Sequence, residues 1–421
     1  MTTTGIVGGT WRATVTPWGA IEPWDGSAVI DWHVAADDRW HSPKNEASIR
    51  QSRLDGTPVV ETKLRIPSGD AIHRVYSAAV DGGCTVIEIT NDSPLPIAVA
   101  FTRADLLSPR PPTDVPIEGI DLPADSITFP IGHRATIAVA LSHRSGVTAM
   151  PQVPPFAQIV RGWTAQVQVA GQLELPDQSW TDSVSAARSE LLLVGPGTGD
   201  LAERVLGLGQ LGRLHEPADN LTVDMVTTVE QLLRQARNAG GIVTAVEMRA
   251  LWSAARFFHG AGERRAVDDT LVAISRLRVA EHAPSLASPA VVSGDPTHEL
   301  GAELRSPARV IDWVESWIAQ ITGQDSAMLI PQGFPSTWLG VNFDVQGLPV
   351  GLASTVSFAI RWHGDRPAVL WECAGQRCAL SGPDGWSTVE MSGEALWTAP
   401  PRSQPQTGGE LDNSSGDVSF N

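Results

Sequence analysis

The sequence predicts a multi-domain α+β protein: an N-terminal antiparallel β-sandwich, a short α-helical block and a C-terminal β module. Three observations predict it. Apolar and polar residues alternate with period two from residue 11 to about residue 175, with turn residues between the runs. The period becomes helical from Asp219 to Gly323, then returns to two from residue 328 to residue 398. Composition agrees, because 39 Gly, 31 Pro and only 18% charged residues favour short strands and tight turns over long exposed helices. The predicted division is 11–176, sandwich; 177–325, helical block; 326–398, C-terminal β module; and 399–421, a disordered tail of low apolar content.

In the first segment, Val60, Thr62, Leu64 and Ile66 share one face of a strand whose other face is charged. Thr85 to Thr90 and Ile97 to Thr102 are strands joined by the turn Asn91-Asp92-Ser93-Pro94. Arg134 to Leu141 and Ala165 to Leu175 are read as further strands, with a Pro-rich loop from Ser108 to Pro123. Residues 178–192 fit either a helix or a connecting segment. Val226, Val229, Leu233 and Ala236 form a helical stripe stopped by Gly240-Gly241. Thr244 and Glu247 are spaced as a capping box, in which hydroxyl and carboxylate satisfy the free N–H groups of a helix start. Met248, Leu251, Trp252, Ala255 and Phe258 or His259 follow as its apolar face. Gly260-Ala261-Gly262 turns the chain into a second helix, from Glu263 to about Glu281. A last helix starts at Ser306-Pro307, buries Val310, Trp313 or Val314, Trp317 and Ile321, and stops at Gly323. Thr355 to Ile360 and Pro367 to Trp371 read as paired strands.

The net charge of −17 repels phosphate backbones and anionic lipid, and no Lys/Arg run offsets it. Nucleic acid and membranes are therefore excluded as main partners; saccharides, other neutral or cationic small molecules and protein partners remain. The N-terminus has neither a basic nor an apolar leader segment, and no 18-residue apolar run occurs. Only three cysteines are present, which fits a reducing compartment and a cytoplasmic location. Cys373 and Cys378 flank a Gly-containing turn and are read as free thiols, with a disulfide the alternative in an oxidising setting. There is no Walker loop, HExxH, GxGxxG or Gly-x-Ser-x-Gly motif, and no cofactor or metal is predicted.

Fifteen tryptophans stand against one tyrosine. A flat indole stacks on the apolar face of a sugar, or packs as a bulky core residue that needs one N–H partner. Trp18, Trp24, Trp32 and Trp40 fall in one short stretch and are the candidate ligand-binding rings. Asp37, Asp38 and His41 lie among them and complete the candidate set. With His33 they hold metal-ligand chemistry but match no ligand spacing, and adjacent Asp residues form turns. Asp38 paired with Arg39 or His41 is the structural reading. Asp365 and Glu372, near Trp362, His363 and Trp371, fit a polar pocket or a hairpin with a buried, satisfied His363. Glycoside cleavage needs two carboxyl groups at a defined separation. The helical block offers Glu216, Asp219, Asp224, Glu247, Glu299 and Glu303, none beside a Trp-rich turn.

The order of sandwich, helical hairpins and β cap resembles bacterial glycoside hydrolases with an N-terminal β-sandwich and an (α/α)6 toroid, the glucoamylase-like and glycogen-debranching-like proteins. Gly56-Thr57-Pro58-Val59-Val60-Glu61-Thr62 and Ile66-Pro67-Ser68-Gly69-Asp70 look like the sandwich pattern of that group, and the hairpin at Gly260 like one toroid unit. A toroid needs twelve helices, and residues 200–322 have room for five or six. The resemblance therefore implies an incomplete toroid, no inherited catalytic residue and a carbohydrate-recognising, non-catalytic role. An interaction or scaffold protein using the helical block is the alternative, and an active glycoside hydrolase the third reading.

Overall fold

The computed structural model describes residues 1–113, 118–197, 199–280 and 306–400. It is a mixed α+β structure with seven described helices and mostly antiparallel sheets. β1 (Thr2–Gly5), β2 (Arg12–Val15) and β3 (Ile21–Pro23) form a three-stranded meander. Two more sheets follow from β4 (Trp32–Ala35), β5 (Trp40–His41), β6 (Ile49–Arg53), β7 (Val60–Ile66), β8 (Gly69–Ala78), β9 (Cys84–Asn91), β10 (Ile97–Phe101), β11 (Ile127–Ile131) and β12 (Thr136–Ser142). Their spatial orders are β11-β10-β4-β5 and β12-β9-β8-β7-β6.

Alternation dictates how these sheets meet. Val60, Leu64, Ile66, Val75, Ile87 and Ile89 of one share a core with Trp32, Val34, Val99, Phe101, Phe129 and Ile131 of the other. The opposite face of the five-stranded sheet is covered too. There Tyr76, Val86 and Ala140 pack with Val160 of α1 (Phe156–Gln168). Burial on both faces is why Val75 to Ala78 form a continuous buried run.

α1 and β13 (Gln172–Glu174) replace the strand expected over Ala165 to Leu175. Val160, Trp163 and Val167, all buried, are the apolar stripe of this helix, which begins directly after Pro154-Pro155. α2 (Gln178–Val194) settles the open reading of residues 178–192; Asp177 caps it by accepting from Ser179 N–H. α3 (Leu201–Arg213) precedes α4 (Ala218–Asn238), so helix starts before Asp219. The α4 face is Met225, Val229, Leu232 and Ala236, with the predicted Val226 and Leu233 at its margin. β14 (Ile242–Val243) leads to α5 (Ala245–Gly260), whose capping box forms as predicted: Thr244 Oγ1 accepts from Glu247 N–H at 3.1 Å and Glu247 Oε2 from Thr244 N–H at 2.7 Å. α6 (Arg264–Arg276) follows after Gly262 and ends before β15 (Arg278–Val279), shorter than the predicted stretch. α3 lies close against α5 because its contact positions are glycine. A Cβ on Gly209 would collide with Ser253 Oγ, and one on Gly212 would sit 2.8 Å from the Phe257 ring.

α7 (Pro307–Ile318) is buried nearly all round, with Trp313 and Val314 both inward. It stops at Ile318, not at Gly323, because Ala319 is extended and opens β16 (Ala319–Gly323), which carries Ile321. β17 (Ser326–Leu329), β18 (Phe343–Pro349), β19 (Ser354–His363), β20 (Arg366–Gly375), β21 (Ala379–Ser381), β22 (Ser387–Thr388) and β23 (Ser392–Leu396) complete the described strands. They form sheets β13-β18-β19-β20-β23 and β16-β17-β21-β22. Leu173 of β13 pairs with Val345 of β18, so a strand that precedes the helices completes a sheet that follows them. Trp180 of α2 sits at the centre of this second core, with Trp313, Trp317 and Trp338 at ring separations of 4.6, 6.0 and 5.3 Å. The predicted pairing of Thr355 to Ile360 with Pro367 to Trp371 is the β19–β20 hairpin. Among the described residues no helix is long and apolar enough to cross a membrane. The predicted tail from residue 401 onward, and Glu299 and Glu303, lie outside the described residues.

One core residue couples this packing to pH. His73 of β8 stacks on Trp32 at 4.4 Å, and burial pushes its pKa down to about 3. The unfolded chain takes up a proton near pH ~6.5 while the folded chain does not. Stability from this residue is therefore full above that pH and falls as pH descends toward the folded value. The melting temperature should drop between neutral pH and pH ~5, and His73→Phe should flatten that drop. Identical slopes for both proteins in pH-dependent thermal melts would disprove the coupling.

Candidate functional site

The residues singled out in the sequence serve several different jobs. Asp37 and Asp38 are the two tip residues of the β4–β5 hairpin, closed by Ala36 N–H donating to Arg39 O at 3.0 Å. The buried His41 ring has its nitrogens 3.0 Å from Asp38 Oδ1 and 3.2 Å from Glu46 Oε1, and Arg39 grips both oxygens of Glu46. The hydrogen bond from His41 holds the Asp38 carboxyl below its ordinary range. This is the structural Asp38–His41 pair of the sequence reading. Trp32 is core, and its Nε1 donates to Trp18 O at 2.9 Å. Trp18 and Trp40 are half-buried, with Lys44 Nζ 5.6 Å from the Trp18 ring centre. Trp24 is 52% exposed and its Nε1 donates to Thr14 Oγ1. None of these seven residues lines the pocket described next. His363, at the end of β19, is exposed and not the buried histidine of the hairpin reading. Cys84, Cys373 and Cys378 are buried free thiols.

The pocket lies among α3, α5 and α7, with β16 and β18 at its rim, and has a volume of about 60 Å³. Helical spacing builds it. Arg249, Trp252, Ser253 and Arg256 recur on one face of α5, and Asp312, Glu315 and Ser316 on one face of α7. Gln210 of α3 closes the third side.

Its electrostatics start from Glu315, whose side chain is 14% exposed. Glu315 Oε1 accepts from Arg188 at 3.0 Å, and both its oxygens accept from Arg213, at 3.0 and 2.7 Å. Gln210 Nε2 donates to Oε2 at 3.3 Å. Burial opposes ionisation, but the Arg213 and Arg188 charges outweigh it and hold the carboxyl below its usual range. Arg188 also donates to the carbonyls of Val167, Ala170 and Gly171, and Arg213 to that of Ala170. The two guanidiniums thus take up carbonyls left free where α1 ends. Asp312 is held from both oxygens by Arg249, at 2.8 and 2.7 Å.

Arg256 differs. Both carboxylates of the pocket are engaged by other arginines, and Arg256 makes no hydrogen bond or ion pair to any described residue. Burial, aided by the Arg213 charge, pushes its pKa down to about 10, which still leaves it charged at neutral pH. The pocket lining holds Arg249 and Arg256 against Asp312 and Glu315, and Arg188 and Arg213 stand behind Glu315, so this cluster of described residues counts four cations to two anions. Such a site can receive an anion. The sequence reading missed it. The available signal was Asp312 and Glu315 inside a helix otherwise almost wholly apolar, opposite two arginines seven residues apart. Of the carboxylates weighed for hydrolysis, Asp224 is paired with Arg204 and Glu247 is the helix cap.

The chain matches no known protein-family model and no curated protein.

Replacing Glu315 strands Arg188 among carbonyls with its charge uncompensated. Glu315→Ala should cost about 3–5 kcal/mol in urea unfolding, against ~0–1 kcal/mol for breaking the exposed Arg265–Asp269 pair. The folded carboxyl titrates below the unfolded value of ~4.3, so its contribution is full above that pH and fades as pH falls. Glu315→Gln should therefore shallow the acid limb of the stability profile; an unchanged limb refutes the assignment.

Proposed function

We propose that the protein binds a small anion, held by Arg256 in the pocket among α3, α5 and α7. The observation that carries this reading is the largely desolvated Arg256 charge in the pocket wall, which pairs with no carboxylate among the described residues. A largely desolvated charge without a carboxylate beside it is costly, and an incoming anion offsets that cost while forming charge-assisted hydrogen bonds. The planar guanidinium fork suits carboxylate or phosphate oxygens. Trp252 at the wall offers an apolar face to whatever carries the charge.

The carbohydrate role is the second reading. The exposed ring of Trp24 and the half-buried rings of Trp18 and Trp40 support it. Alongside it stand the finer architectural readings. The two facing N-terminal sheets are taken as a β-sandwich, and α3 to α6 as hairpins of an incomplete α/α toroid. Three buried free thiols support a reducing, cytoplasmic setting.

Calorimetric titration with phosphate, sulfate and acetate tests the anion reading. At least one should bind saturably at millimolar concentration or below. Arg256→Gln should weaken it roughly tenfold or more, while the exposed Arg265→Gln leaves it unchanged. No saturable heat with any of the three, nor with glycolate, overturns the proposal. Quenching of tryptophan fluorescence by neutral maltooligosaccharide, lost in Trp24→Ala, would instead favour the second reading.

A further inference from the structure

This inference rests on the anion reading and narrows it. Arg256 makes no hydrogen bond or ion pair among the described residues, and Gln210 carries an acceptor atom without one. Gln210 is 8% exposed, and its Oε1 is buried with no hydrogen bond. The amide has little freedom to turn, because its Nε2 already donates to Glu315 Oε2. Swapping the two atoms would set the amide oxygen against a carboxylate oxygen. The orphan is therefore an acceptor. Both groups line the same pocket, Gln210 from α3 and Arg256 from α5, where Gly209 packs on Ser253.

Size sets the second limit. A water occupies ~10–15 Å³ of such a volume. A pocket of about 60 Å³ therefore holds a handful of heavy atoms. We infer that the anion is compact and carries a hydrogen-bond donor of its own, as hydrogenphosphate and small hydroxycarboxylates do and sulfate and simple carboxylates do not. Its negative oxygens meet Arg256, and its hydroxyl donates to Gln210 Oε1. Sulfate would place a lone pair against that carbonyl oxygen and leave it unsatisfied, the more costly arrangement.

The test compares pairs that differ only in the donor, by calorimetry on the full chain near neutral pH: phosphate against sulfate, and glycolate against acetate. The donor-bearing member of at least one pair should bind roughly tenfold more tightly. A preference confined to the first pair names a phosphate group as the occupant, and one confined to the second a hydroxycarboxylate. Gln210→Met should abolish the preference while Arg256→Gln weakens all binding. Should Gln210→Met not fold, the wild-type comparison alone decides. Equal affinity within both pairs, with binding still lost in Arg256→Gln, overturns the donor requirement and leaves the anion reading intact. Absence of binding by all four probes overturns both.

Discussion

The Glu315 carboxylate, shared between Arg188 and Arg213, is the contact on which the helical half is assembled. Its three members come from α7, α2 and α3, and the two arginines reach on to carbonyls at the end of α1. One ionic cluster thus fixes four helices against one another. Its net worth in stability is small, because three desolvated ions return much of their attraction as lost hydration. What it supplies is uniqueness. A slip of α7 by one residue would carry Glu315 out of reach of both arginines and turn Trp313 and Trp317 away from Trp180. The apolar core around the indoles tolerates small shifts more readily than an ion triad does, so the triad sets the register and the indoles fill the volume.

The pocket follows from that arrangement. Glycines on α3 draw α5 close, and the larger side chains beside that contact line the pocket. There α5 presents Arg249 and Arg256, two turns apart on one face. α7 has only two acids to answer them. Asp312 is used by Arg249 and Glu315 by the arginines of α2 and α3, which leaves Arg256 without a carboxylate among the described residues.

How much of this was readable beforehand depends on how local each cause is. β7, the capping box at Thr244 and the β19–β20 hairpin are set by residues a few positions apart, and they appear where period, cap chemistry and turn chemistry place them. The strand expected over Ala165 to Leu175 fails because Ala165, Val167 and Val169 of α1 and its end fall in step with Leu173 and Leu175 around β13 and read as one alternating run. The end of α7 was misplaced because Gly323 is a stronger stop signal than Ala319, where the chain in fact turns extended to pair with β17. Tryptophan burial was opaque for a different reason. Trp32 and Trp24 have the same chemistry, and only the sheet pairing that puts one inside and the other outside distinguishes them. The pocket draws on residues from 206 to 349, and no periodicity within one segment announces a convergence made by tertiary packing.

The overall charge and the local charge of this protein oppose each other, and the opposition has a consequence for selectivity. A net charge of −17 surrounds the molecule with a field that repels anions, and repels them in proportion to their valence. That field fades within ~8 Å at physiological salt, whereas the guanidiniums in the recess act at contact distance and are screened far less. A compact anion crosses the repulsive zone at small cost and regains it at Arg256. An extended polyanion keeps most of its charges in that zone and has only one group that fits. Under the proposed anion reading, the acidic surface disfavours extended polyanions while the recessed arginine receives one small anion, so the two features act together as one filter.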